Sequence, residues 1–144
     1  MLVATILKNK GSTVKTITPD ATALAFAARI KAERIGAMIV SADGRSIDGI
    51  VSERDLAYGL AAHGERLPYI PVSELMTRAV VVCAPEDSIG DIINVMTLRR
   101  IRHLPVVQGG RLVGIVSSGD VLKHRLDEIQ LEADVLRDVA IARR

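Results

Sequence analysis

The frame Gly49-Ile50-Val51-Ser52-Glu53-Arg54-Asp55 returns later in the chain as Gly114-Ile115-Val116-Ser117-Ser118-Gly119-Asp120. Both 114 − 49 and 120 − 55 equal 65, so the frame recurs whole. A repeat of this length is one supersecondary unit built twice. The function of such a chain is to be sought where the copies meet.

Each copy joins a short apolar, strand-like run to a helix-like segment, with Ser at the junction and Asp three residues on. Structurally this is a helix start. Ser52 and Ser117 are expected as N-caps, with Asp55 and Asp120 completing capping boxes. The same geometry suits a nucleotide: free N–H groups and the positive end of a helix dipole attract phosphate. A carboxylate one turn further in accepts hydrogen bonds from ribose hydroxyls. The two readings are compatible, since the side chains cap the helix when no ligand is bound.

The elements around the frames repeat as well. Residues 3–7 read as a short helix, and residues 72–76 repeat their pattern. A polar connection over 8–13 leads to an alternating strand at 14–18, broken by Pro19-Asp20. Residues 22–34 form an Ala-rich amphipathic helix stopped at Gly36. Residues 37–40 are a buried strand, Asp43-Gly44 a hairpin turn and 47–51 the returning strand. A helix follows over 53–63, stopped by Gly64. Pro68 and Pro71 make residues 67–71 an extended, stiff linker.

The second unit places strands at 80–83, 104–107 and 112–116, with a turn at Gly109-Gly110. Its helix over 88–99 turns Ile89, Ile92, Ile93 and Met96 inward. A last helix over 121–142 carries Leu122, Leu126, Ile129, Ala133, Leu136 and Ala140 along one face, a stripe suited to dimerisation. The expected division is 1–66 for the first repeat with its lead-in helix, 67–126 for linker and second repeat, and 127–144 for the helical extension.

Of 144 residues 49% are apolar, yet there is one Phe, two Tyr and no Trp, so the core must be Val, Ile, Leu and Ala. A net charge of +2 and the scarcity of stacking aromatics argue against nucleic-acid binding, although Arg99, Arg100 and Arg102 stand close together. Cys83 is the only cysteine, which excludes an intrachain disulfide and a cysteine-based zinc site. No apolar run reaches membrane-span length, and Lys8 comes too early for a signal peptide; a soluble, cytoplasmic protein is expected. No Ser is matched with a His, and no carboxylate pair stands out as acid and base. His63 and His124 read as surface residues, and no catalytic residue, metal or catalytic cofactor is expected.

The β-α-β-β-α order, Gly-apolar-apolar-Ser-x-x-Asp in both copies, and Arg102-His103-Leu104-Pro105-Val106-Val107 resemble a pair of CBS domains, a Bateman module, over about residues 3–126. The resemblance implies an α/β (α+β) fold of tandem repeats with pseudo-twofold symmetry and two clefts between them, here with a long C-terminal helix added. It implies a non-catalytic regulatory protein that binds adenine nucleotides. AMP is the first expectation, with ADP, ATP, NAD(H) and S-adenosylmethionine as alternatives. By that resemblance one cleft combines Ser117, Asp120 and Ile115 with Thr16, Ile35, Gly36 and Ala37. The other combines Ser52, Asp55 and Ile50 with Val82, Ile101, Arg102 and His103. Ile35 and Ile101 would flank the adenine.

Arg102 is the first candidate for phosphate, because guanidinium pairs with phosphate oxygens bidentately. Arg54 is the second and Lys8 the third. Gly119 stands where the first frame has Arg54, so the clefts are expected to differ. The output is expected to pass through a homodimer or a separate, unidentified effector protein. The rival reading is a structural dimerisation module with degenerate sites, against which both Ser-x-x-Asp frames stand intact.

Overall fold

The computed structural model describes residues 1–11 and 13–143. Residue 12 of the expected 8–13 connection and residue 144 of the expected extension lie outside the described residues. A lead-in helix α1 (Val3–Lys10) precedes the first repeat, which runs β1 (Thr16–Ile17), α2 (Ala23–Glu33), β2 (Ala37–Val40), β3 (Gly49–Ser52) and α3 (Glu53–His63). After 3-10 turns at Gly64–Tyr69 and Val72–Glu74, the second repeat runs α4 (Ile89–Arg99), β4 (His103–Gln108), β5 (Arg111–Ser117) and α5 (Ser118–Ala142). In the first sheet β2 pairs in parallel with β1 and antiparallel with β3; β4 and β5 form an antiparallel hairpin. The fold is the expected mixed α/β arrangement with a long C-terminal helix.

Several boundaries differ from the sequence reading, each for a local reason. Helix α1 runs on to Lys10 through residues expected as a polar connection. Helix α2 stops at Arg34, held left-handed at φ 55°, two residues before the expected Gly36; α4 stops the same way at Arg100, φ 54°. The left-handed conformation costs a residue with a side chain roughly 1–2 kcal/mol. The linker expected to be extended is largely a 3-10 turn with Pro68 inside it. Gly59 leaves room there for Leu67, since a Cβ on Gly59 would lie 2.8 Å from Leu67 Cδ1.

Residues 80–83 do not form a strand. Cys83 alone bridges to Val106, donating its N–H to the Pro105 carbonyl (2.9 Å) and accepting from Val107 N–H (2.8 Å). Pro105 has no N–H, so the ladder cannot extend towards residue 81. In α4, Ile89, Ile92 and Met96 are buried while Ile93 is 37% exposed at the edge of the stripe. His124, expected at the surface, has a side chain only 10% exposed, with Nε2 3.3 Å from Glu128.

The packing of the lead-in segments positions everything else. Val3 and Ile6 of α1 belong to the core of the second repeat, with Ile89, Ile92, Leu104 and Val116. Val72, which leads into the second repeat, belongs to the core of the first, with Phe26, Met38 and Val51. Main-chain bonds fix the exchange: Val3 N–H to Asp87 O (2.9 Å) on one side, Val72 N–H to Ala21 O (2.8 Å) on the other. Each such buried Val or Ile contributes about 1.5–3 kcal/mol, a large share of the 5–15 kcal/mol stability typical of a domain.

The exchange also explains the glycine that opens each frame. A Cβ on Gly49 would lie 2.6 Å from Met76 Sδ and 2.8 Å from the Thr77 carbonyl. One on Gly114 would lie 2.5 Å from Leu7 Cδ2. Each frame therefore receives the lead-in of the opposite repeat against its bare backbone. Helix α5 is different: only Val121 is buried, and Leu122, Leu126, Ile129 and Leu136 are all exposed. Among the described residues no helix is long and apolar enough to cross a membrane.

Gly49→Ala has to push aside backbone at Thr77 as well as the Met76 side chain, and overpacking of this kind costs about 1–3 kcal/mol. Urea unfolding of the variant is expected to show a lower midpoint; an unchanged midpoint would mean that residues 76–77 yield freely.

Candidate functional site

Both frames form helix starts as expected, with different hydrogen bonding. In the second, Ser117 N–H donates to Asp120 Oδ2 (2.9 Å) and Asp120 N–H donates back to Ser117 Oγ (3.1 Å). In the first, Ser52 N–H donates to Asp55 Oδ2 (2.8 Å) and the Ser52 hydroxyl turns to the same oxygen (3.2 Å). Each helix start is tied to the residue preceding the neighbouring strand: Glu53 N–H to Gly36 O (3.1 Å) and Ser118 N–H to Arg102 O (2.8 Å).

The first frame opens on a cleft of about 250 Å³ between the repeats. Ile50, Ser52, Arg54 and Asp55 line it from the first repeat, and Ile101, Arg102 and His103 from the second. Val82 does not line it and is 46% exposed. Val80 and Val81 do, together with Thr77 and Ala79, which the sequence reading did not single out. The available signal was Pro105, which leaves this segment outside the sheet and free to follow the cleft wall. Glu53, Arg100 and Gly36 complete the lining; Gly36 was expected in the other cleft.

The second frame is closed by a lysine. Lys10, in the last turn of α1, places Nζ 2.7 Å from Asp120 Oδ2 and donates to the Ile115 carbonyl at 2.8 Å. Lys8 was the lysine expected near a site; the extra turn of α1 brings Lys10 there instead. Thr16, Ile35 and Ala37, expected opposite this frame, do not line the 250 Å³ cleft. The Thr16 carbonyl accepts from Arg29 (2.8 Å), Ile35 packs on the first core and Ala37 is buried.

His103 sits between the two frames. A Cβ on Gly36 would lie 3.4 Å from its Cε1 and 3.0 Å from Glu53 Oε1, so Gly36 keeps that space open. Burial, then the Lys10 ammonium, pull the His103 pKa below its ordinary 6.5; Arg102 adds to this, and Asp120 and Glu53 oppose it without prevailing. The imidazole is therefore neutral at pH 7. At Asp120 burial acts to raise the pKa, but hydrogen bonds from Lys10 and Ser117 N–H outweigh it and hold the carboxyl below its ordinary value. Burial, followed by the Asp87 carboxylate, pushes the Cys83 thiol up to about 11, which keeps it from acting as a nucleophile.

A family model, the CBS domain, matches residues 11–62 and again residues 72–127. The chain belongs to the CBS-domain family. Its two copies make a CBS pair. CBS domain-containing protein YhcV of Bacillus subtilis is 34% identical over 113 residues, which are 78% of this chain and 79% of that one. The crystal structure of a CBS-domain containing protein from Agrobacterium tumefaciens matches with a TM-score of 0.84 at 40% identity, over 87% of this chain and 99% of that one. The CBS domain pair of protein MJ0100, solved with 5′-methylthioadenosine and S-adenosyl-L-methionine, shares the fold with a TM-score of 0.78 at 24% identity, over 89% of this chain and 98% of that one.

The His103 shift gives this CBS pair a pH dependence of definite sign. Its folded pKa is depressed, so as pH falls the unfolded chain takes up the proton first. The stability it contributes is present above 6.5 and is lost as pH drops from there towards the folded value. Urea unfolding at pH 7.5 and 5.5 is expected to show this loss, reduced in His103→Gln. An equal loss in the variant would place its origin elsewhere.

Proposed function

We propose that this CBS pair is a non-catalytic sensor that binds an adenine nucleotide in the cleft between the Ser52–Asp55 frame and residues 101–103. The observation that carries the reading is the cleft itself. It gathers a helix start, two carboxylates, two isoleucines and three arginines from both repeats around about 250 Å³, near the lower end of small-molecule pockets. The adenosyl ligands of the MJ0100 pair support the same ligand class.

The roles follow from the chemistry. Ile50 and Ile101 supply apolar surface for the adenine. Both cap bonds to Asp55 fall on Oδ2, which leaves Oδ1 for ribose hydroxyls. Arg54 and Arg102 face the phosphate, with the α3 helix dipole adding to their field. The Ser117, Asp120 and Ile115 half-site, with Thr16, Ile35, Gly36 and Ala37 opposite, takes a ligand only after Lys10 is displaced. One nucleotide per chain is therefore the expected stoichiometry.

A ligand touching both repeats favours one relative orientation of them, to the extent that it binds that orientation better. The exposed stripe of α5, with Leu122, Leu126, Ile129 and Leu136, supplies a surface for a second copy, through which that preference is passed on.

Isothermal titration is expected to show AMP or ATP binding at one site per chain. Asp55→Asn, which retains an acceptor for the cap, is expected to weaken binding about tenfold or more. The absence of heat with every adenine nucleotide would contradict the reading. Light scattering on the same samples is expected to give a dimer, and Leu126→Glu with Leu136→Glu a monomer; a monomeric parent would remove the dimer from the account.

A further inference from the structure

We propose that the open cleft is built for a nucleotide carrying two or more phosphates and selects a nucleoside triphosphate over a monophosphate. The inference rests on the adenine-nucleotide reading above and specifies the ligand of that same cleft.

Arg54, Arg100 and Arg102 line the cleft and also an adjoining shallow hollow of about 360 Å³, whose remaining lining is Met96, Thr97, Ile101 and Ser118. The two spaces therefore adjoin across the arginines. Their electrostatics differ. Glu53 and Asp55 are in the cleft, suited to hydroxyl groups, whereas the hollow has no carboxylate in its lining. Among the described residues none of the three guanidinium groups is in an ion pair. The hollow is a cationic track leading away from the nucleoside end.

Local helix chemistry accounts for Arg100, a cation at the C-terminal end of α4, but not for Arg54 or Arg102. Arg54 lies in the first turn of α3, where the helix dipole disfavours a cation. Glu53 and Asp55 in the same turn suit the dipole, so Arg54 is its one unfavourable charge, which a bound anion would offset. Arg100 is the left-handed stop of α4 and has a counterpart, Arg34, in the first repeat (100 − 34 = 66). Arg102 and Arg54 have none. At their equivalent positions stand Gly36 (102 − 36 = 66) and Gly119 (119 − 54 = 65). The track exists at one frame only, and it is the frame that Lys10 leaves open. The first phosphate of a nucleotide lies next to its ribose, inside the cleft. Only a longer phosphate chain runs out across the hollow, where each charge-assisted pair adds to binding. Ser118 N–H is already bonded to Arg102 O, so the start of α5 contributes through its dipole.

The test is titration of the full chain with AMP, ADP, ATP and inorganic tripolyphosphate at two salt concentrations. Affinity is expected to rise from AMP through ADP to ATP, with ATP about tenfold or more above AMP and the gap narrowing as salt is raised. Tripolyphosphate, lacking the nucleoside, is expected to bind about tenfold or more below ATP. In the double variant Arg54→Gln, Arg102→Gln, with an unchanged circular dichroism spectrum, the ratio of ATP to AMP affinity is expected to fall to about parity. Equal affinity for AMP and ATP in the parent, or a preference that survives the double variant, overturns this inference and leaves the adenine-nucleotide reading standing. Failure of all three nucleotides to bind overturns both. Tripolyphosphate binding as tightly as ATP replaces the nucleotide site with a general polyanion surface and also overturns the inference.

Discussion

The exchange of lead-in segments is the constraint on which this structure depends. Val3 and Ile6 close the core of the second repeat, and Val72 closes that of the first. Two small sheets of Val, Ile and Met could not each bury enough surface alone, and the crossed segments supply what is missing. Once crossed, they hold the repeats face to face. The two helix starts then lie on either side of His103, and the cleft between the repeats is a consequence of the packing that stabilises them.

Much of this was legible in the chain itself. The spacing of 65, the Ser-x-x-Asp frames, β2 and α3 follow from short-range rules of capping and periodicity, and residues such as Ser52, Asp55 and Gly64 announce them locally. The exchange was not legible, because periodicity shows which face of a helix is apolar and not what covers it. Gly49 and Gly114 were visible as repeat markers, yet their reason lies in Met76, Thr77 and Leu7, remote in sequence or from the other repeat. The missing strand at residues 80–83 traces to Pro105, a partner some twenty residues away. For the same reason the cleft wall fell on Val80 and Val81 and not on Val82. Lys10 was missed because one additional turn of α1 decides which lysine meets Asp120.

The asymmetry between the frames is electrostatic. One carboxylate, Asp120, is neutralised by Lys10 at 2.7 Å. The other, Asp55, has no ion-pair partner among the described residues and stands in a cleft whose outer wall is guanidinium. Two copies of one unit thus present a closed helix start and an open one while keeping the same bond from the Ser N–H to the Asp carboxylate. His103, packed near both and held neutral by burial first and Lys10 second, keeps the contact between them free of a buried unpaired charge.

On the function proposed above, the surfaces meeting across this exchange form a single nucleotide site made by both repeats. Amide chemical shifts recorded during titration with ATP test it most directly. The account predicts that the largest changes fall together on Ser52–Asp55 and on Ile101–His103. Changes confined to one repeat or to α5, or none at saturating nucleotide, would contradict it.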